Sequence, residues 1–178
     1  MADEITVAPQ APKPTDRESA IARDDKLELR VWLRLLTCAS LIENRVRARL
    51  REEFDITLPR FDLLAQLDRA PEGLAMGELS DRLMVSNGNI TGLTDRLVTE
   101  GLVSRAPLRA DRRQARIKLT PAGKRAFDAM TPAHERWVDD MLAGLTRAEM
   151  AQLLDLLAKL KRSVRSASKP DEKSGDTP

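Results

Sequence analysis

The apolar residues between Leu79 and Leu93 are spaced in a way that a single helix cannot accommodate. They stand at Leu79, Leu83, Val85, Ile90 and Leu93, and a small residue, Ser80, follows the first. Because successive steps of four, two, five and three residues depart from the 3.6-residue repeat of a helix, these side chains cannot share one helical face. The spacing predicts two short helices joined by a tight turn at 84–86, with Ser86 as the N-cap of the second helix and Gly101 as its stop.

The second of these helices is expected to present small polar side chains to the outside. Ile90, Leu93 and Leu97 form its inward stripe, which leaves most other positions of the first turns facing outward. Asn side chains can pair with adenine and Thr side chains can meet a thymine methyl group, so this surface suits the major groove of DNA. The candidate DNA-contacting residues of this helix are Ser86, Asn87, Gly88, Asn89, Thr91, Gly92, Thr94 and Arg96.

An arginine-rich hairpin follows directly. Residues 102–105 and Ala115–Leu119 read as two short strands around a polar loop. Six cations and one anion lie between Gly101 and Lys118, a local balance of +5, whereas the whole chain carries only +2. Taken alone, such a charge run would be a solvated face; directly after a helix-turn-helix it predicts a wing that grips DNA phosphates or enters a minor groove. The candidate wing residues are Arg105, Arg109, Asp111, Arg112, Arg113 and Arg116.

These motifs resemble those of the multiple-antibiotic-resistance regulator (MarR) family of winged helix-turn-helix transcription factors. The resemblance rests on the segments 95–105, 111–113 and 119–123, and it extends over about residues 27–165. It implies a homodimeric repressor that binds a palindromic operator in double-stranded DNA, with 87–94 in the major groove and Asp111 orienting Arg112 at the tip of the wing. Gly92 departs from the family pattern, because relatives often carry a larger polar or basic residue there.

The predicted fold is mainly α-helical with a small β-hairpin wing. A winged helix-turn-helix domain is expected at about 57–119, between dimerisation helices at about 27–51 and 120–165. Thr120-Pro121 is typical of a helix start, and Thr146 with Glu149 forms a capping box. The terminal helices carry more apolar surface than a winged helix needs, which predicts a dimer interface. Pro132 predicts a kink or break in the helix near Met130 and Thr131.

Several function classes are disfavoured by the composition. Residues 1–24 and 166–178 lack apolar periodicity and are predicted to be disordered tails. Without a long apolar run or a basic-then-apolar N-terminus, a cytoplasmic location and no membrane contact are expected. The chain has one His and one Cys and lacks the common catalytic and metal-ligand motifs, so we expect no enzyme activity, no catalytic residue, no metal and no cofactor.

The signal that such a regulator would sense is indicated by the resemblance alone. The run 84–93 looks like the branch of the family that controls aromatic-acid catabolism, some of whose members respond to the CoA thioester of a phenolic acid. The candidate residues of a pocket for this small-molecule effector are Trp32, Arg34, Leu36, Arg60, Phe61 and His134. Trp32 and Phe61 are equally compatible with a simple core role, and His134 with a core or interface histidine that has a hydrogen-bond partner.

Cys38 is expected to be buried as a small apolar residue. A peroxide-sensing branch of the family pairs a cysteine with tyrosines, but Arg34 occupies the place of that cysteine and tyrosine is absent from the chain, so thiol sensing is not predicted.

Two alternatives to a ligand-responsive regulator stay open. One is a winged-helix module for protein contact, and the other is a DNA binder without a small-molecule effector.

Overall fold

The computed structural model describes residues 27–107 and 115–167. Their elements, in chain order, are α1 (Leu27–Phe54), α2 (Leu58–Asp68), β1 (Leu74–Ala75), α3 (Met76–Leu83), α4 (Asn87–Thr99), β2 (Val103–Pro107), β3 (Ala115–Leu119), α5 (Pro121–Leu142) and α6 (Arg147–Ala167). The expected fold class, mainly α with a small β wing, is confirmed. The predicted tails fall mostly on residues 1–26 and 168–178, outside the described residues, so they stay predictions.

The predicted helix-turn-helix is present as α3 and α4. The hydroxyl of Ser86, the N-cap of α4, accepts a hydrogen bond from the backbone N–H of Asn89 at 3.4 Å. Gly101, just beyond the end of α4, has φ +72, a left-handed conformation that glycine adopts without steric cost. Both predicted ends of the second helix are therefore confirmed.

The wing belongs to a three-stranded antiparallel sheet with strand order β1-β3-β2. β2 pairs with β3 in a register that sets Val103 opposite Leu119, and β1 pairs with the other edge of β3 through Leu74 opposite Ile117. The sequence predicted only the two strands of the hairpin. β1 was missed because two residues are too short to show the alternation of a strand.

The core of the winged helix is formed by aliphatic side chains from α2, α3, α4 and the sheet. Its fully buried members include Leu63, Leu64, Leu67, Leu79, Ile90, Leu97 and Ile117. The start of α5 closes against this unit: the Thr120 hydroxyl accepts the Gly123 N–H at 3.0 Å and donates to the Gly101 carbonyl at 2.6 Å. The predicted Thr120 cap is confirmed, and it ties α5 to the segment between α4 and β2.

α5 runs without interruption through Pro132, so the predicted break is wrong, while the predicted kink stays a prediction. A proline removes one backbone donor, which a helix can tolerate by bending locally. The hydroxyl of the preceding residue, Thr131, donates to the Phe127 carbonyl at 3.0 Å. The described residues divide into two compact units at this helix, between His134 and Glu135.

α6 is a capped but unburied helix. The Thr146 N–H donates to a Glu149 carboxylate oxygen at 2.8 Å, and the Glu149 N–H donates to the Thr146 hydroxyl at 3.3 Å, which confirms the predicted capping box. The Thr146 N–H and the Thr146 hydroxyl, which also donates to the Glu149 carboxylate at 2.8 Å, hold the pKa of Glu149 below its ordinary value. Yet α6 buries none of its residues in the single chain.

The helices of residues 27–107 and 115–167 include no segment with the length and apolar composition that a membrane span requires.

Candidate nucleic-acid interface

The N-terminal half of α4 exposes a strip of polar and small residues. The exposed members of the predicted set are Ser86, Asn87, Gly88, Asn89, Thr91, Gly92 and Arg96. The Thr91 hydroxyl donates to the Asn87 carbonyl one turn earlier, at 2.8 Å, which orients this side chain on the helix surface. The first turn of α4 carries no acidic residue. This end of the helix can therefore approach a polyanion without a repelling carboxylate.

Two glycines make this strip unusually smooth. Gly88 and Gly92 lie one turn apart on α4, and a Cβ built at either position would meet nothing within 4 Å. The space in front of the backbone is open, so the helix can come close to a groove wall at these positions. The same open space would accept a larger side chain at Gly92.

Thr94 is the one predicted contact of α4 that the structure moves to the core. Its exposure is 0%, because it lies four residues after Ile90 and three before Leu97 and so shares their inward stripe. The prediction of an outward Thr94 is therefore wrong. Its hydroxyl is buried and has no hydrogen-bond partner within the described part of the chain.

The wing arginines that the structure describes are held by contacts within the domain. Arg105 on β2 forms an ion pair with Asp95 on α4, and both side chains remain about half exposed. Arg116 on β3 donates to the Gly73 carbonyl at 2.7 Å and is partly buried. Asp95 was missed because ten residues separate it from Arg105 and no local pattern relates the two. The pair fastens the base of the wing to the candidate recognition helix.

The other four predicted wing residues, Arg109, Asp111, Arg112 and Arg113, lie in the segment 108–114, outside the described residues. Their contacts with DNA stay predictions.

A second ion pair connects the start of α2 with the end of α4. The Arg60 guanidinium contacts the carboxylate of Glu100, the C-cap residue of α4. The Nε of Arg60 is buried and has no hydrogen-bond partner among the residues that the structure describes. Two residues after Arg60, the pKa of Asp62 is raised, first by burial and then by the nearby charge of Glu43. Sequence reasoning proposed Arg60 for ligand contact but missed its coupling to α4.

The predicted pocket residues do not all come together. The ring of Phe61, which is buried, lies 4.8 Å from the imidazole of His134 and 5.4 Å from the ring of Phe127, measured between centroids. Trp32, in contrast, is 57% exposed on α1 and so does not enter this buried cluster. Arg34 is exposed on α1, and Leu36 is partly buried there.

The expectation of a buried Cys38 is wrong for the single chain, where this residue is exposed on α1. Within residues 27–107 and 115–167, no group of three or more His, Cys, Asp or Glu side chains could hold a metal ion.

Comparison with known proteins gives a consistent result. Residues 54–114 match the MarR family. The crystal structure of a MarR family transcriptional regulator from Silicibacter pomeroyi is similar, with 34% identity, a TM-score of 0.65, and coverage of 77% of this chain and 94% of that protein. The transcriptional activatory protein BadR of Rhodopseudomonas palustris is 27% identical over 161 residues, which are 88% of this chain and 90% of BadR. A mutant of MarR from E. coli, crystallised with operator DNA, is 28% identical with a TM-score of 0.67, over 76% of this chain and 99% of that one.

Proposed function

Because the chain belongs to the MarR family of transcriptional regulators, we propose that it acts in the cytoplasm as a homodimeric repressor of a palindromic operator, released by a small aromatic acid or its CoA thioester. The exposed polar strip of α4 is the observation that carries the proposal. It combines base-reading side chains, Asn87 and Asn89, with glycines that let the backbone come close to DNA. A MarR relative was crystallised with operator DNA, which supports the same use of this fold here.

DNA recognition divides between two surfaces. Asn89 on α4 would contact base edges, whereas Arg112 of the wing would contact the backbone irrespective of sequence. The test begins with selection of bound duplexes from a random pool by the wild-type chain. Asn89→Ala should then change the preferred sequence and cost about 1–3 kcal/mol on the selected duplex.

Arg112→Ala should weaken binding to all duplexes and lower the slope of log K against log salt by about one. Arg162→Ala, which removes an exposed arginine of α6, is the matched control and should leave the slope unchanged. If Arg112→Ala, like the control, left the affinity for DNA unchanged over the whole salt series, the winged helix would instead serve a protein contact.

Dimerisation is supported by apolar surface that the single chain leaves exposed. The exposed large apolar residues of α1 are Leu27, Leu29, Val31, Trp32, Leu41 and Ile42, and those of α6 are Leu153, Leu154, Leu156, Leu157, Leu160 and Val164. A monomeric protein rarely leaves such leucine-rich faces in water, and a second copy would bury them. A dimer would also place two recognition helices about 34 Å apart, as successive major grooves require.

Sedimentation equilibrium tests the dimer. Leu157→Asp should shift the wild-type dimer towards monomer, while Gln152→Asp, which adds the same charge to α6 without removing a leucine, should have a smaller effect. A wild-type chain that is monomeric at operator-binding concentrations would contradict the proposed dimer.

The proposed effector response rests on Arg60 and the aromatic cluster. Arg60 contacts Glu100 at the end of α4, and its buried Nε has no partner within residues 27–107 and 115–167, while the neighbouring Phe61 stacks near His134. A ligand carboxylate that drew Arg60 away from Glu100 would change the support of the recognition helix.

A screen of phenolic acids and their CoA thioesters tests the effector, with thermal shift and operator release as the two measurements. Arg60→Gln should abolish the ligand response and should itself lower operator affinity, because it removes the ion pair with Glu100. If no compound gave either signal, the chain would be a DNA binder without this class of effector. Because BadR is named an activatory protein, transcription from a reporter carrying the selected operator distinguishes repression from activation.

A further inference from the structure

The turn between α3 and α4 holds a methionine in a conformation that methionine rarely adopts. Met84 has φ 52 and ψ 40, in the left-handed region where a Cβ is disfavoured and glycine or asparagine is the usual residue. The surrounding hydrogen bonds impose this conformation. The Val85 N–H donates to the Ser80 carbonyl at 3.1 Å, and the Ser80 hydroxyl donates to the Val85 carbonyl at 2.6 Å.

The fold does not bury the side chain of Met84. It is 92% exposed, more than any other large apolar residue in the described ranges. Glycine at this position would relax the backbone and remove an exposed apolar group, so neither the turn nor the core explains a methionine. Backbone strain that the fold does not need is typical of a residue kept for a contact outside the chain.

We propose that Met84 is an apolar DNA contact at the edge of the recognition surface, an inference that rests on the proposed DNA-binding function. Met84 lies two residues before Ser86, the N-cap of α4, and three residues before Asn87, the first residue of that helix. Its apolar counterpart on DNA is a thymine methyl group or the face of a deoxyribose. The flexible thioether side chain of methionine suits such a surface, because it can adapt to local groove shape.

The neighbours of Met84 favour DNA over a second copy of the chain as the partner. The residues around it, Asp81, Arg82, Ser86 and Asn87, are polar and exposed. The clustered apolar surface that suits contact between two chains lies instead on α1 and α6. A single apolar side chain within a polar surface fits the isolated methyl groups of a major groove better than it fits a protein interface.

Met84→Gly tests the contact, because it removes the side chain and relaxes the backbone at once. Its Tm should equal or exceed that of the wild type. Affinity for the duplex selected by the wild type should fall about tenfold at fixed salt, equivalent to about 1.4 kcal/mol. The salt slope should not change, since no phosphate contact is lost. Met84→Asn, which also tolerates the left-handed conformation, should show the same loss, whereas Met84→Leu should keep most of the affinity.

Replacing each thymine of the selected duplex by deoxyuridine distinguishes the two DNA groups. If deoxyuridine at one position weakens binding by the wild type but not by Met84→Gly, the contact is a thymine methyl group. If Met84→Gly binds the selected duplex about tenfold more weakly than the wild type, and no single deoxyuridine replacement weakens wild-type binding in the same way, the contact is a deoxyribose. Met84→Gly with wild-type affinity would refute the contact alone. Met84→Gly that lost dimerisation in sedimentation would refute it in favour of a protein contact. Failure of the wild type to bind any duplex would refute the proposed function and this contact together.

Discussion

Replacing Thr94 by valine should stabilise this protein, although it changes a residue of the recognition helix. Thr94 is 0% exposed and its hydroxyl lacks a hydrogen-bond partner among the described residues. Valine keeps the branched shape of threonine and replaces the hydroxyl by a methyl group. The two residues also have similar helix propensities, so the change tests the buried hydroxyl rather than the helix.

The magnitude follows from the desolvation of the hydroxyl. Burying a hydroxyl without a hydrogen bond costs about 1–3 kcal/mol, and Thr94→Val removes this cost. Some of the gain is lost if neighbouring side chains adjust to the methyl group. We therefore expect the free energy of unfolding to rise by about 1 kcal/mol, which raises Tm by about 2–4 °C for a chain of this size.

Urea unfolding followed by circular dichroism measures the effect, and duplex binding is measured on the same samples. Thr91→Val is the matched control, because the Thr91 hydroxyl is exposed and donates to the Asn87 carbonyl at 2.8 Å. Its stability should change by no more than about 0.5 kcal/mol. Thr94→Val should leave DNA affinity unchanged. A Thr94→Val variant that is less stable than the wild type would refute the unpartnered state of the buried hydroxyl, and one that binds DNA less tightly would refute the placement of Thr94 away from DNA.

Two further predictions concern the packing and the charges of the winged-helix unit. Gly123→Ala should lower the free energy of unfolding by about 3 kcal/mol or more, because the new Cβ would lie 1.9 Å from the Leu102 carbonyl oxygen. Gly77→Ala is the control, because a Cβ there would meet nothing within 4 Å. It should raise the free energy of unfolding by about 0.5–1 kcal/mol in the same urea assay. Because burial and Glu43 raise the pKa of Asp62, the charged carboxylate opposes folding above that pKa. The stability of Asp62→Asn relative to the wild type should therefore increase as pH rises from about 4 to 7 in urea titrations, and a decrease would contradict this assignment.

Local patterns predicted the elements whose signals are contained in a few neighbouring residues. Ser86 caps α4 and Thr146 with Glu149 caps α6, as expected, because a cap depends on side chains within one turn of the backbone. The hairpin strands were recognised as two short segments on either side of a polar loop that begins with a proline. β1 was not, because its two residues become a strand only by pairing with β3.

The predictions for Thr94 and Cys38 were wrong for different physical reasons. The spacing that places Ile90 and Leu97 inside also places Thr94 there, although a hydroxyl side chain is typical of an outward position. Cys38 was expected to be buried because cysteine is a small apolar residue, yet the single chain leaves it exposed. Whether a residue of α1 is covered depends on which surfaces meet that helix, and the residue type carries no information about them.

The sequence by itself determined the kind of protein: a helix-turn-helix followed by a basic hairpin, capped helices on either side, and membership of a family of regulators. These features depend on short-range periodicity, caps and charge density, which are properties of neighbouring residues. Only the tertiary structure decided that Arg105 contacts Asp95, that Arg60 contacts Glu100, and that Met84 is held in a left-handed turn with its side chain in solvent. Such contacts join residues that are far apart in the chain, or depend on hydrogen bonds that form only when the turn is folded, so no local pattern could specify them.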